Sequence, residues 1–405
     1  MSLGIVTPAT LQKLRAQCNA KGASWSSLGS SAKSEGFLAL MMALLACPHL
    51  STEAACALLA ALRCPGAAAH GVFHPLLFFE LTKVLRTLLT SGPAPKEPKK
   101  KKSALKKSSR AAASQDDDVD MLDEDEQPIE KSVVGPSGQL LLEELSLLIE
   151  RVPLGSHPDA LAQLIALLAS VGAYDALFHC CAAHHGEPEL TLPAVLRACL
   201  PALSLAADAD TAGASGAAVV ASLKATEAFV SRVVLESIAV HEGASDEDAS
   251  RRANAALTSV QALLQRASVG APERAEPRAQ VCASLARLLV TLPGAVSARY
   301  AGFLWRLSRT AKVGARTFAA EMAAASLHAA LTKDGRNASH IFEDGTPQTL
   351  WRLLQQRLST DKAAGVRAKA LSALAPLLAA MEEEAPEREL LRLVQLPLPL
   401  NQSGR

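Results

Sequence analysis

The sequence predicts an all-helical protein, an α-solenoid of stacked antiparallel helix pairs interrupted by one disordered charged stretch. Three observations predict it. Apolar residues make up 49% of the 405, yet they are mainly Ala and Leu, and aromatics reach only 3%, a composition that suits helices better than pleated sheets. Apolar positions recur every three or four residues in segment after segment. No run alternates convincingly with period two, so no strand is expected.

Residues 1–91 form an N-terminal helical segment, with helices expected at 38–45, 54–62 and 76–89, separated by the breakers Cys47-Pro48 and Pro65-Gly66. Residues 92–133 break the texture. Eight basic residues between Lys96 and Arg110 are followed by eight acidic ones between Asp116 and Glu126, with almost nothing apolar to offset the entropy of ordering, which predicts a disordered linker. Residues 134–395 make up the solenoid, with helices expected near 138–151, 158–170, 173–184, 192–206, 216–241, 246–268, 275–292, 296–309, 313–331, 347–358 and 363–381. Residues 396–405 are a tail.

Several function classes are expected to be absent. The longest uninterrupted apolar stretch, Phe37 to Ala46, is about half the roughly 20 residues a bilayer-spanning helix needs, so no membrane partner is expected. The N-terminus shows neither a signal-peptide nor a transit-peptide pattern. Eight cysteines spread along the chain read as reduced thiols of the cytosol or nucleus. No phosphate loop, dinucleotide fingerprint, nucleophile elbow or HExxH zinc motif occurs, so the expectation is a protein that is not an enzyme and has no cofactor or small-molecule substrate.

His179-Cys180-Cys181 with His184-His185 is the one metal-like cluster, because Cys180/His184 and Cys181/His185 each share a helical face. The two faces lie about 100° apart on one helix, and free cysteine is commonly buried as a small hydrophobe. No metal is therefore expected.

Lys99, Lys100, Lys101, Lys102, Lys106 and Lys107 are candidates for a nuclear import signal, since an exposed basic stretch is what an import receptor threads. The bland alternative is a solvated linker. Charge is uneven further on as well: from Pro277 to Met381 there are 14 basic residues against five acidic ones, in a chain with a net charge of +1. Arg299, Arg306 and Arg309 fall on one flank of a helix beside the apolar stripe Tyr300, Phe303, Leu304 and Leu307. With Lys312, Arg316, Arg367 and Lys369 they are the candidate contacts to DNA phosphates. The competing reading is a solvated rim whose acidic partners come from other helices.

The last helix pair is the most regular. Pro347 suits a first helical position, and Leu350, Leu353, Leu354 and Leu358 form one stripe. Asp361 follows in the turn as a cap for the next helix, with Val366, Ala370, Leu371, Leu374, Leu377 and Leu378 after it. Pro376 predicts a kink or an early end.

An apolar helix, a turn with Asp, then Val-Arg and small residues at helical spacing resembles the HEAT repeat, with Asp361, Val366, Arg367 and Leu371 as its structural positions. The stretch Arg299–Leu331 followed by Thr349–Ala379 resembles the HEAT region of the D-three subunit family of condensin II, one of the non-SMC condensin subunits. The features are Arg306-Leu307-Ser308-Arg309, the Lys312-Val313 and Arg316 helix start, and the Asp361-Lys362 turn leading to Val366-Arg367-Ala368-Lys369. The resemblance implies a scaffold in chromosome condensation, found in the nucleus on chromosomes, that binds the kleisin and SMC ATPase subunits of a condensin complex and holds DNA. Members of that family are much longer, so the resemblance implies either a fragment or a truncated gene model. The alternative function is a HEAT- or armadillo-type adaptor that grips protein segments in nuclear transport or complex assembly.

Overall fold

Short caps and apolar stripes set the helices in order. The computed structural model describes residues 7–20, 22–28, 37, 41, 50–66, 73, 75–90, 136–181, 188–205, 216–239, 246–331 and 345–383. The charged stretch 92–133, with its import-signal lysines, the expected helix at 38–45 apart from Met41, and the tail 396–405 lie outside these residues. Among the described residues there are helices and no strands.

The helices are α1 (Pro8–Asn19), α2 (Thr52–Leu62), α3 (Pro75–Thr90), α4 (Pro136–Arg151), α5 (Pro158–Ser170), α6 (Tyr174–His179), α7 (Pro188–Ala198) and α8 (Leu200–Ser204). They continue with α9 (Gly216–Ile238), α10 (Asp246–Val269), α11 (Ala275–Thr291), α12 (Gly294–Leu307), α13 (Val313–Leu331), α14 (Thr346–Thr360) and α15 (Ala364–Glu383). No described helix is long and apolar enough to cross a membrane.

Two compact units result: Met1–Ala67 with Lys83–Glu144, and Ala68–Thr82 with Leu145–Arg405. In the first, α1 packs against α2. The Thr7 hydroxyl accepts the Thr10 amide hydrogen and Pro8 opens α1, while Ser51 caps α2 through the Ala54 N–H. Leu11, Leu14 and Cys18 turn inward from α1 onto a helix in which Ala54 through Leu62 are all buried. That stripe, behind a Thr-Pro start, marks α1 as a helix, and the sequence expectations did not include it.

Beside this core lies Glu144, whose side chain is 4% exposed. Arg15 Nε and Nη2 donate to its Oε1 at 3.1 and 2.5 Å, and Arg63 donates to its Oε2 and to Asn19 Oδ1. A carboxylate buried this deeply is tolerated because two guanidinium groups neutralise it and occupy both its oxygens.

In the second unit the helices form two rows. α5, α7, α10, α12 and α14 pack one on the next, and so do α6, α9, α11, α13 and α15. Helices adjacent in sequence cross between the rows: α12 meets α13, α13 meets α14, and α14 meets α15. Stripes such as Leu161, Leu164, Ile165 and Leu168 of α5, all buried, supply the apolar contact. Hydroxyl pairs join neighbours within a row: Tyr174 to Thr226 across α6 and α9, and Tyr300 to Ser268 across α12 and α10, each at 2.5 Å.

Besides α1, four details depart from the sequence expectations. The helix expected over 173–184 ends at His179. The single helix expected over 192–206 is two, divided at Cys199 because Pro201 starts a new helix. Pro376 does not end α15, which runs on to Glu383. Leu371 is not a core residue, being 59% exposed. The buried stripe of α15 is Val366, Ala370, Leu374 and Leu377, and Leu371 lies about 100° around the helix from Ala370.

Candidate functional site: the basic edge and its arginine clamps

The turns that lead into α11, α13 and α15 share one device. The fourth residue of each helix is an arginine: Arg278, Arg316 and Arg367. Each turns its Nη1 back onto the carbonyls of the preceding turn. Arg278 donates to Glu273 O, Arg316 to Thr310 O and Ala311 O at 3.1 and 2.7 Å, and Arg367 to Asp361 O and Lys362 O at 2.7 and 3.3 Å.

In the first two, the other edge of the guanidinium forks onto a carboxylate of the following helix pair. Arg278 Nε and Nη2 reach the two oxygens of Glu321 at 2.5 and 3.1 Å. Arg316 Nε and Nη2 reach those of Asp361 at 2.9 and 3.2 Å. The planar five-donor fork of arginine allows this simultaneous grip on backbone and acid, and lysine has no equivalent.

Asp361 is the densest node. Its side chain is 1% exposed, and besides Arg316 it accepts from Arg357 Nη1 at 3.2 Å and from the Ala363 amide at 2.9 Å. Arg357 also donates to Ser308 O at the end of α12, at 2.9 Å. Burial works to raise the Asp361 carboxyl. The hydrogen bonds from Arg316 and Ala363, with the charges of Arg316 and Arg357, outweigh it and hold the group below the ordinary aspartate value. Val366 packs inward, fully buried.

The clamps change the standing of the basic residues read from sequence. Arg316 and Arg367 are occupied by the turns they close. Lys369 Nζ lies 3.6 Å from Glu321 Oε1, and Lys312 Nζ lies 3.9 Å from Glu273 Oε1 in a solvated pair. Arg287 is likewise forked onto Glu227, at 2.9 and 2.7 Å. Glu227 and Glu273 lie outside the segment Pro277 to Met381, so part of its charge surplus is neutralised from other elements. Arg299, Arg306 and Arg309 are exposed, and no ion pair is formed by them among the described residues. They sit along α12 and its C-terminal end, over the buried Tyr300 and Leu304. The candidate interface for a polyanion therefore contracts to these three, with Lys312 at its margin.

His184 and His185 of the metal-like cluster lie outside the described residues, among which no group of three or more His, Cys, Asp or Glu could hold an ion. Cys180 is buried. Burial pushes the Cys181 and Cys199 thiols up to about 12, which keeps them protonated and poor as nucleophiles or ligands at neutral pH.

Sequence reasoning missed Glu321, Glu273 and Arg278 as parts of the clamps. The signal was faint, an arginine at the fourth position of three alternate helices, and its meaning depends on carboxylates 43 and 45 residues away. Compared with protein-family models and with curated proteins, the chain matches none.

Proposed function

We propose that this chain is a non-catalytic scaffold of the HEAT class, an α-solenoid whose surfaces hold macromolecular partners. The observation that carries the reading is the pair of helix rows, bound turn to turn by arginine clamps that recur at the same helical position. In a stacked-repeat architecture each pair touches only its neighbours and an extended surface is left for binding. The resemblance of Arg299–Leu331 and Thr349–Ala379 to the D-three condensin II family supplies the candidate partners: a kleisin, SMC ATPase subunits and duplex DNA. Nuclear import through Lys99 to Lys102, Lys106 and Lys107 belongs to the same proposal.

DNA contact is expected at Arg299, Arg306 and Arg309, through phosphates rather than base edges, because nothing there forms a recognition motif. About three or four phosphate contacts give a log-log salt slope of roughly 2.7 to 3.6 in magnitude. Fluorescence anisotropy with duplex DNA at physiological salt tests this. Changing the three arginines to Glu is expected to abolish binding, and equal binding by wild type and variant removes the DNA role. Co-purification of the tagged chain with kleisin and SMC subunits tests the complex.

One observation favours the adaptor reading as second: Arg316, Arg367, Lys312 and Lys369 are engaged within the protein. A chain that retains protein partners but shows no DNA binding at physiological salt would establish that alternative.

A further inference from the structure

Charge divides the two helix rows. From Ala249 to the end of α10, and throughout α12 and α14, there is no Asp or Glu. The opposite row exposes Asp175 on α6, Glu236 on α9 and Glu276 on α11. A polyanion is therefore drawn to the first row and partly repelled by the second.

Side-chain direction decides which cations of the first row share a face. Each of α10, α12 and α14 buries one stripe against the other row and its flanks against its neighbours, so the stripe left exposed looks out of the row. On α10 that stripe holds Thr258, Ala262 and Arg266. On α12 it holds Ala295, Arg299 and Arg306, and on α14 Arg352 and Ser359. Spacings of four or seven positions keep the members of each stripe on one side of their helix. Arg266 and Arg352, like the α12 arginines, form no ion pair among the described residues.

Contacts between the helices set the level at which each arginine stands. Ser268, two residues after Arg266, bonds to Tyr300, one residue after Arg299. Tyr300 and Leu350 line one small cavity, and Arg352 follows Leu350 by two residues. Arg266, Arg299 and Arg352 are thus level across three adjacent helices. With neighbouring axes about 8–10 Å apart, the outer two arginines are separated by roughly 16–20 Å, or about five steps of a duplex at 3.4 Å each. We propose that duplex DNA lies along the row, across α10, α12 and α14 rather than along α12 alone, with Arg266 and Arg352 contacting phosphates on either side of Arg299 and Arg306. The inference rests on the DNA reading above and adds a direction and two contacts to it.

Fluorescence anisotropy of the full chain with a labelled mixed-sequence duplex of about 20 base pairs, across about 50–200 mM salt, tests it. Arg266→Gln with Arg352→Gln removes the two flanking contacts. Lys13→Gln with Lys224→Gln removes the same charge from exposed positions of α1 and α9. The expected result is a log-log salt slope shallower by about 1.8 in the arginine pair, and a wild-type slope in the lysine pair. A wild-type slope in the arginine pair, with binding still abolished by Glu at Arg299, Arg306 and Arg309, overturns the extension and leaves the α12 contact standing. An equal reduction in both pairs also overturns it, since any surface cation would then serve. Wild type that does not bind at physiological salt removes the DNA reading and this inference with it.

Discussion

At Asp361 two guanidinium groups and one backbone amide converge on a carboxylate that has almost no contact with water. Asp361→Asn keeps the shape and removes the charge, leaving Arg316 and Arg357 without their acid. The expected loss is about 3–5 kcal/mol, the range for breaking one side of a buried pair, measured by urea unfolding. The pH dependence follows from the direction of the shift. The folded carboxyl titrates below its unfolded value of about 3.9, so its stabilisation is complete above that pH and is lost as pH falls through the folded value. Wild type should lose stability as pH falls below about 4, and Asp361→Asn should show a shallower slope there; identical slopes would mean that Asp361 is not ionised in the fold. Glu144 allows a comparison in the other unit. Its partners Arg15 and Arg63 have side chains 34% and 2% exposed. Arg15→Ala should cost at most about 1 kcal/mol, as for a partly solvated pair, while Glu144→Ala strands a buried cation and should cost about 3–5 kcal/mol.

At the level of the element, each clamp closes a turn and ties it to the next pair. Arg278→Lys and Arg316→Lys keep the charge but lose the fork that reaches carbonyl and carboxylate together. Each is expected to destabilise by about 2 kcal/mol, nearly as much as the alanine variant. Full rescue by lysine in chemical denaturation would reduce the clamp to simple charge pairing. Helix positions were largely legible in the sequence because they rest on local periodicity. The pair expected at 347–358 and 363–381 appears as Thr346–Thr360 and Ala364–Glu383, with Pro347 at the start and the Asp361 turn between. The miss at α1 came from a stripe of only three apolar residues, Leu11, Leu14 and Cys18, in an otherwise polar segment. Leu371 was assigned to the core because periodicity places a residue on a face without fixing where a partner helix ends. The candidate site was less legible. Arg316 reads as a solvated cation until Asp361, 45 residues away, is seen to hold it, and the same is true of Arg278 with Glu321. Arg299, Arg306 and Arg309, read from the sequence as candidate contacts to a polyanion, are exposed.

At the scale of the whole molecule, the proposed scaffold requires the helices from α5 onward to behave as a stack whose stability is set pair by pair. In such a stack a lesion weakens its own pair and the neighbours and leaves distant pairs intact, whereas a single shared core loses stability everywhere at once. Hydrogen exchange followed by mass spectrometry, comparing wild type with Asp361→Asn, separates the two. Amide protection is expected to fall in α12 to α15, around the broken node, and to stay unchanged in α5 to α7. An equal fall in protection across all of these helices would contradict it.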